Sequence, residues 1–217
     1  MSDARERILA NLRSANTTAR SAVTAAKPLP QEKLSTAQKV EKIKKLLEAV
    51  RSEVHVVNRK YWTETLQDLV KQRGIKTLVF APKTVIGVEV QESWKKKNPA
   101  ELVPFDGAIE EFKPRLFEMD AAVTGTTGGI AETGVLILQP DENEPRLISL
   151  VPPIHFAVLD SEKIFHDFNA AISAQNWVGT EPVNRILISG PSKTADIELT
   201  LAFGVHGPRE LVVLILE

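Results

Sequence analysis

The stretch that most constrains the fold runs from Val54 to Phe80. Val54-His55-Val56-Val57 is a short β-branched run, Trp62 to Lys71 keeps helical spacing and stops at Gly74, and Thr77-Leu78-Val79-Phe80 is a second apolar run. Strand, helix and strand at this separation form a βαβ unit, which sets its two strands parallel in one sheet. An α/β architecture with helices flanking the sheet follows.

The rest of the chain extends this pattern. Asp3 to Leu12 reads as an amphipathic helix with Ile8, Leu9 and Leu12 on one side, and Ser14 to Pro30 as a linker rich in Ala, Thr, Ser and Pro. A helical extension over residues 1–35 is therefore expected ahead of an α/β domain over residues 36–217. Thr36 to Val50 forms a helix with Val40, Ile43, Leu46 and Leu47 inward. Ile86, Val90 and Trp94 favour a helix ending in the solvated run Lys95-Lys96-Lys97, although Val85, Val88 and Val90 also suit a strand. Strands are expected at Leu102–Phe105, Ala121–Thr124, Gly134–Leu138, Leu147–Val151, Ile154–Leu159, Ile186–Ile188 and Leu211–Leu216. Gly125 to Gly129 reads as a flexible loop, and Pro140 to Pro145 as a polar turn. Phe112 to Phe117 reads as a short helix or turn, with further helices over Ser161–Ala174 and Thr194–Phe203. Short, closely spaced strands predict a mixed, largely parallel sheet.

Composition narrows the chemistry. At 43% hydrophobic over 217 residues the chain can bury an ordinary core, and a formal charge of -1 supplies no basic field for nucleic acid or a membrane surface. Its apolar runs are too short to span a bilayer, and the charged N-terminal segment shows no signal-peptide core, so a cytoplasmic location is expected. With no cysteine, the chain can form no disulfide, thiol nucleophile, Cys-ligated iron–sulfur cluster or Cys-type zinc site. His55, His155, His166 and His206 are far apart in sequence, and no metal site is expected.

Two segments concentrate polar groups. The first runs Ser189-Gly190-Pro191-Ser192-Lys193-Thr194-Ala195-Asp196-Ile197-Glu198 and is followed by Gly204-Val205-His206-Gly207-Pro208. Read as a strand-to-helix junction, it lets Ser192 or Thr194 cap the helix and puts Asp196 and Glu198 in its first turn. Lys193 fits such a helix start only beside an anion or a carboxylate. A phosphate loop needs a second glycine before the lysine, and two carboxylates here would repel phosphate. A smaller anion held by Lys193 and free N–H groups remains open.

The second segment runs from Thr124 to Gly134. Gly125, Gly128 and Gly129 would let a ligand approach the backbone, and Thr124 and Thr126 add hydroxyls. Glu132 stands just before an apolar strand, where desolvation would raise its pKa and make it a base. A glycine-rich hairpin with a solvated Glu132 is an equal reading. His155 reads as a hydrogen-bonded structural residue or a catalyst, and His206 as facing a pocket or fastening its turn. The chain has no Gly-x-Ser-x-Gly elbow, so a serine hydrolase is not indicated.

These motifs carry a resemblance. Thr124…Gly129-Ile130-Ala131-Glu132-Thr133-Gly134, Pro152-Pro153-Ile154-His155, the Gly190-to-Glu198 run and Gly204-Val205-His206-Gly207-Pro208 resemble, in order, the lactate utilization protein C (LutC/YkgG, LUD-domain) family. Val135 departs from the small polar residue frequent after Glu-Thr-Gly. The resemblance implies a fold similar to the sugar-phosphate isomerase, CoA-transferase and methenyltetrahydrofolate synthetase superfamily. It also implies a part in oxidising L-lactate to pyruvate with two iron–sulfur partner proteins. The clusters would sit in the partners, with no cofactor in this chain. The alternative is a free-standing enzyme or binding protein for a small anionic metabolite of sugar-phosphate, CoA or folate type. In that case Glu132 would be the base and Lys193 the anion ligand.

Overall fold

Strand and helix alternate from Leu34 to Glu217 much as the apolar spacing dictates. The computed structural model describes residues 2–15, 34–94, 98, 100–177, 184–195, 201–203 and 207–217. The chain divides into two units, Met1–Lys33 and Leu34–Glu217. The first contains α1 (Ser2–Ala15).

The second unit begins with α2 (Thr36–Ala49), β1 (Glu53–Val57), α3 (Trp62–Gln72), β2 (Thr77–Phe80), α4 (Val85–Ser93), β3 (Glu101–Pro104) and α5 (Ile109–Leu116). It continues through β4 (Ala121–Gly125), β5 (Gly128–Ile130), β6 (Val135–Leu138), α6 (Arg146–Leu150), β7 (Ile154–Asp160), β8 (Ile164–Phe165) and α7 (Phe168–Ala174). It closes with β9 (Ile186–Ile188), β10 (Lys193–Ala195), β11 (Leu201–Phe203) and β12 (Glu210–Leu216). The central sheet has six strands in the order β1-β12-β7-β4-β2-β3, and every pairing is parallel.

Side chains alternate across this sheet, so each strand feeds two cores. Phe156 and Val158 of β7 join Trp62, Leu66, Val70 and Val90 from α3 and α4 on one face. Ala157 and Leu159 face the other way, against Val40, Ile43 and Leu47 of α2. Phe112, Leu116 and Ile148, from α5 and α6, cover Val79 and Ala122 on that second face. Each fully buried large side chain contributes about 1.5–3 kcal/mol.

Local chemistry sets the helix ends. Ser35 and Gln38 form a reciprocal capping box at the start of α2. Thr84 caps α4, its hydroxyl accepting from Gly87 N at 3.0 Å and donating to Ala81 O at 2.9 Å. A Cβ on Gly87 would lie 1.8 Å from Ala81 O, so only glycine allows α4 to start this close to the end of β2. Capped this way, the Val85–Trp94 stretch is a helix; it ends at Ser93, and the lysine run lies outside the described residues.

Five expectations are corrected. The mixed sheet resolves into an all-parallel central sheet, a four-stranded sheet, β8-β5-β6-β9, in which β5-β6 and β6-β9 are antiparallel, and the antiparallel pair β10-β11. The expected loop Gly125–Gly129 instead ends β4 and begins β5, where Gly128 pairs with Ile137.

Leu147–Leu150 lie in the helix α6 with Val151 as its C-cap, not in a strand. A five-residue apolar run has no period that separates the two, and Pro145 at its N-cap pre-sets the turn into a helix.

The helix expected over Ser161–Ala174 breaks into a 3₁₀ turn at Ser161–Lys163, then β8, then α7. Two aspartates start new elements here: Asp160 accepts from Glu162 N and Asp167 from Ala170 N. Buried Ile164 and its neighbour Phe165 pair with β5 between them.

The described ends of the helix expected over Thr194–Phe203 are strand instead, while 196–200 lie outside the described residues. β10 and β11 form an antiparallel pair with Lys193 opposite Phe203. Ser192 N donates to Pro208 O at 2.8 Å, which commits the segment to extended pairing before Lys193. The capping roles given to Ser192 and Thr194 therefore lapse, as does the reading of Lys193 at a helix start. Among the described residues, no helix is long and apolar enough to cross a membrane.

Candidate functional site

In a parallel sheet, the loops leaving the carboxyl ends of the strands enclose the ligand crevice. Here a cavity of about 280 Å³ opens at that edge. Its walls come from the ends of several strands: Leu216 of β12, Val158 and Asp160 of β7, Gly125 of β4, and Arg59 just beyond β1. Thr84, Val85 and Ile86 bring in the start of α4, and Gln139, Asp141 and Glu144 bring in the turn after β6. Thr126, Thr127 and Lys163 complete the lining.

The hydrogen bonds define what a ligand would meet. Arg59 Nη1 donates to Asp160 Oδ2 at 2.9 Å. Thr126 Oγ1 donates to Val158 O at 2.9 Å and Thr127 Oγ1 to Ile137 O at 3.2 Å. With those protons committed, both hydroxyls present lone pairs to a ligand. Lys163 has no ion-pair partner among the described residues. The lining therefore holds three carboxylates, two cations and many acceptors, which suits a ligand that carries hydrogen-bond donors.

Among the described residues, Glu144 is the acid whose pKa burial raises. It follows an Asx turn in which Asp141 Oδ1 accepts from Asn143 N and Glu144 N, both at 2.8 Å. Desolvation pushes its pKa up to about 7, opposed by the Gly125 N–H and reinforced by the charge of Asp141. A carboxyl group titrating near neutrality can take or give a proton at this edge. Behind it lies a crevice of about 10 Å³ lined by Thr124, Gln139, Glu144 and Ser149 among others, roughly the room one water needs.

The crevice leads toward a buried pair. Thr124 Oγ1 lies 2.8 Å from His155 Nε2, and both residues are at 1% exposure. Burial lowers the His155 pKa to about 4, so the ring is neutral near pH 7. Its Nδ1 has no hydrogen-bond partner among the described residues. An orphaned buried nitrogen costs about 1–3 kcal/mol, and native interiors rarely carry one.

The residues singled out from sequence are distributed over several places. Gly125 and Thr126 line the carboxyl-edge cavity, and Thr124 lines the crevice behind it. Gly128 and Gly129 are buried in β5, and neither lines that cavity; a Cβ on either would strike Phe165 or Ile43. Glu132 is exposed on the turn between β5 and β6, without the apolar enclosure its role as a base required. Gly190 and Ser192 line a different cavity of about 260 Å³, together with His155, Leu211, Gly207 and Pro208. Lys193 and Thr194 are positions of β10, while Asp196 and His206 lie outside the described residues.

The sequence reading missed Glu144, Arg59, Asp160 and Lys163. A usable signal existed: Asp160 and Arg59 are charged residues at or just past the carboxyl ends of apolar strands, where α/β sites form.

An all-parallel sheet with helices on both faces and a polar cavity at its carboxyl edge defines an α/β protein of the crevice-bearing kind. More particularly, the chain belongs to the LUD domain family, whose sequence profile matches residues 40–216. It is 36% identical over 216 residues to an uncharacterised protein of Neisseria meningitidis serogroup B, covering 97% of this chain and 92% of that one. It is also 26% identical over 186 residues to lactate utilization protein C 1 of Bacillus mycoides, covering 78% and 75%. Lactate utilization protein C of Deinococcus radiodurans is 36% identical over 97 residues, or 44% of this chain and 46% of that one. Among solved structures, a DUF162 family protein from Deinococcus radiodurans superposes with a TM-score of 0.58 at 20% identity, over 85% of this chain and all of the other, a likeness of fold.

Proposed function

We propose that this protein serves in lactate utilization as a LutC-like subunit, with the carboxyl-edge cavity taking L-lactate or pyruvate. The observation that carries this reading is Glu144, with its pKa at about 7, in the same small cavity as Lys163 and Arg59. In this role Lys163, with Arg59 beside it, meets the substrate carboxylate, and Glu144 exchanges a proton with the 2-hydroxyl. Names among the relatives support the process, since several are called lactate utilization protein C.

Oxidation of lactate to pyruvate releases two electrons and two protons. A chain without cysteine holds no thiolate-bound cluster. In this reading, as the family resemblance implies, the oxidation itself is carried by two iron–sulfur partner proteins, and this chain binds and orients the acid. A cytoplasmic location fits such an assembly, as does the fold similar to the sugar-phosphate isomerase and CoA-transferase superfamily that the resemblance implies. A free-standing enzyme for a sugar phosphate is the weaker reading, because Asp141, Glu144 and Asp160 oppose a dianion more strongly than a monoanion such as lactate.

Calorimetric titration with L-lactate, pyruvate and propionate tests the site. L-lactate or pyruvate should bind, with propionate weaker and Lys163→Met at least tenfold weaker. A ligand at a hundred times its Kd should stabilise the fold by about 2.7 kcal/mol. Equal affinity for parent and Lys163→Met would remove the site. Failure to recover iron–sulfur proteins with the tagged chain from lactate-grown cells would remove the assembly.

A further inference from the structure

The carboxyl-edge cavity is longer than lactate. In the sheet order β1-β12-β7-β4-β2 its lining runs from Arg59 beyond β1, through Asp160 and Lys163 at the end of β7, to Gly125 of β4 and Val85 and Ile86 beyond β2. Neighbouring strands lie about 4.8 Å apart, so the end of β2 is about 10 Å across the sheet from the end of β7. In lactate a single carbon, with bonds of about 1.5 Å, separates the methyl from the carboxyl group. The cavity volume, about 280 Å³, is close to the lower bound of roughly 300 Å³ for sites that enclose drug-sized ligands. An acid whose carboxylate meets Lys163 and Arg59 therefore leaves the α4 end unfilled when its tail is only a methyl.

That end is apolar. Val123 of β4 belongs to the core covered by α3 and α4, and Gly125, two residues on along the same strand, shares its face. A Cβ on Gly125 would meet Ile86 Cγ1 at 3.3 Å, with no other described atom within 4 Å. The glycine thus leaves open a space walled by Ile86. Ile86 packs on the core to which Val158 and Leu216 belong, and both of these also line the cavity. Val85 stands at the rim, 68% exposed. Each methylene that leaves water for such a surface is worth about fourfold in affinity, whereas a charged tail would lose hydration there.

We propose that the α4 end of this cavity, with Val85 and Ile86 beside Gly125, is a side-chain subsite, and that the protein binds 2-hydroxy acids with longer unbranched aliphatic tails more tightly than L-lactate. The proposal rests on the lactate reading for the head of the acid and extends its substrate class through the tail.

The test is calorimetric titration of the full chain with L-lactate and the L-2-hydroxy acids of butanoate, pentanoate and hexanoate. Affinity should rise at least threefold with each of the first added methylenes. Plain hexanoate, without the 2-hydroxyl, should bind at least tenfold more weakly than 2-hydroxyhexanoate. Val85→Asn, at an exposed position, and Ile86→Ala, checked for folding by its thermal transition, should each lower the ratio of 2-hydroxyhexanoate to L-lactate affinity at least threefold. The subsite is overturned, with the lactate reading left standing, if L-lactate binds and the longer acids bind equally or more weakly, if neither variant changes the ratio, or if hexanoate binds as 2-hydroxyhexanoate does. Longer 2-hydroxy acids that bind where L-lactate does not would keep the subsite and remove lactate as the ligand. Binding by no acid of the series would overturn both.

Discussion

Glu144 accepts the backbone N–H of Gly125 at 3.4 Å, a long bond that leaves its carboxylate poorly compensated for lost water. The turn after β6 is thereby linked to the end of β4, and a group that would titrate near 4.5 in the unfolded chain titrates near 7 in the fold.

A pH signature follows. Because the folded pKa of Glu144 is raised, its contribution to stability is fully present below about pH 4.5 and is lost as pH rises to about 7. The full loss is at most on the order of 3 kcal/mol. Glu144→Gln should therefore unfold like the parent near pH 4.5 and be more stable than it at pH 8. Urea midpoints at the two pH values measure this, and a variant less stable at pH 8 would contradict it.

His155 acts with the opposite sign. Its folded pKa of about 4 lies below the unfolded value of 6.5, so stability present above pH 6.5 is lost as pH falls toward 4. Thr124→Val removes the hydroxyl from Nε2 and strands the second nitrogen as well. It should cost about 1–3 kcal/mol at pH 7, whereas Thr124→Ser should cost clearly less. Chemical denaturation of the two variants side by side gives the comparison.

Arg59→Met separates binding from stability. The Arg59–Asp160 pair is half in solvent, which limits its worth to about 0.2–1 kcal/mol. The melting temperature should fall by no more than a few degrees, while affinity for lactate or pyruvate should drop severalfold. Unchanged affinity would take Arg59 out of the site.

Gly87→Ala should be among the most damaging small changes. The added methyl meets backbone, not a movable side chain, so α4 must shift away from β2. A loss of about 1–3 kcal/mol or more is expected, read as a melting-temperature drop of several degrees. Val88→Ala, at an exposed position on the same helix, should be nearly silent.

The parallel sheet was legible because Val54–Val57, Thr77–Phe80 and Ile154–Leu159 are clear apolar runs and Trp62–Lys71 is a clear amphipathic helix. The elements misread were those that local pattern cannot decide. Leu147–Val151 is too short for periodicity, and Ile164-Phe165 becomes a strand only because β5 lies beside it. Glycine density pointed to the Thr124–Gly134 segment, half of which is buried sheet. The acid that burial perturbs sits in a turn that looked ordinary, because a pKa depends on neighbours such as Gly125 that sequence distance hides.

The placement of β12 between β1 and β7 bears on how the domain assembles. β1 pairs in this sheet with β12 alone, a strand drawn from the far end of the domain's sequence. During synthesis β1 and α2 emerge early and stand without their sheet partner until β12 arrives. Closing so long a loop makes folding slow, and for that interval an unpaired apolar strand edge is open to chaperones or to other nascent chains. The strand that completes the sheet thus sets how long the growing chain needs protection.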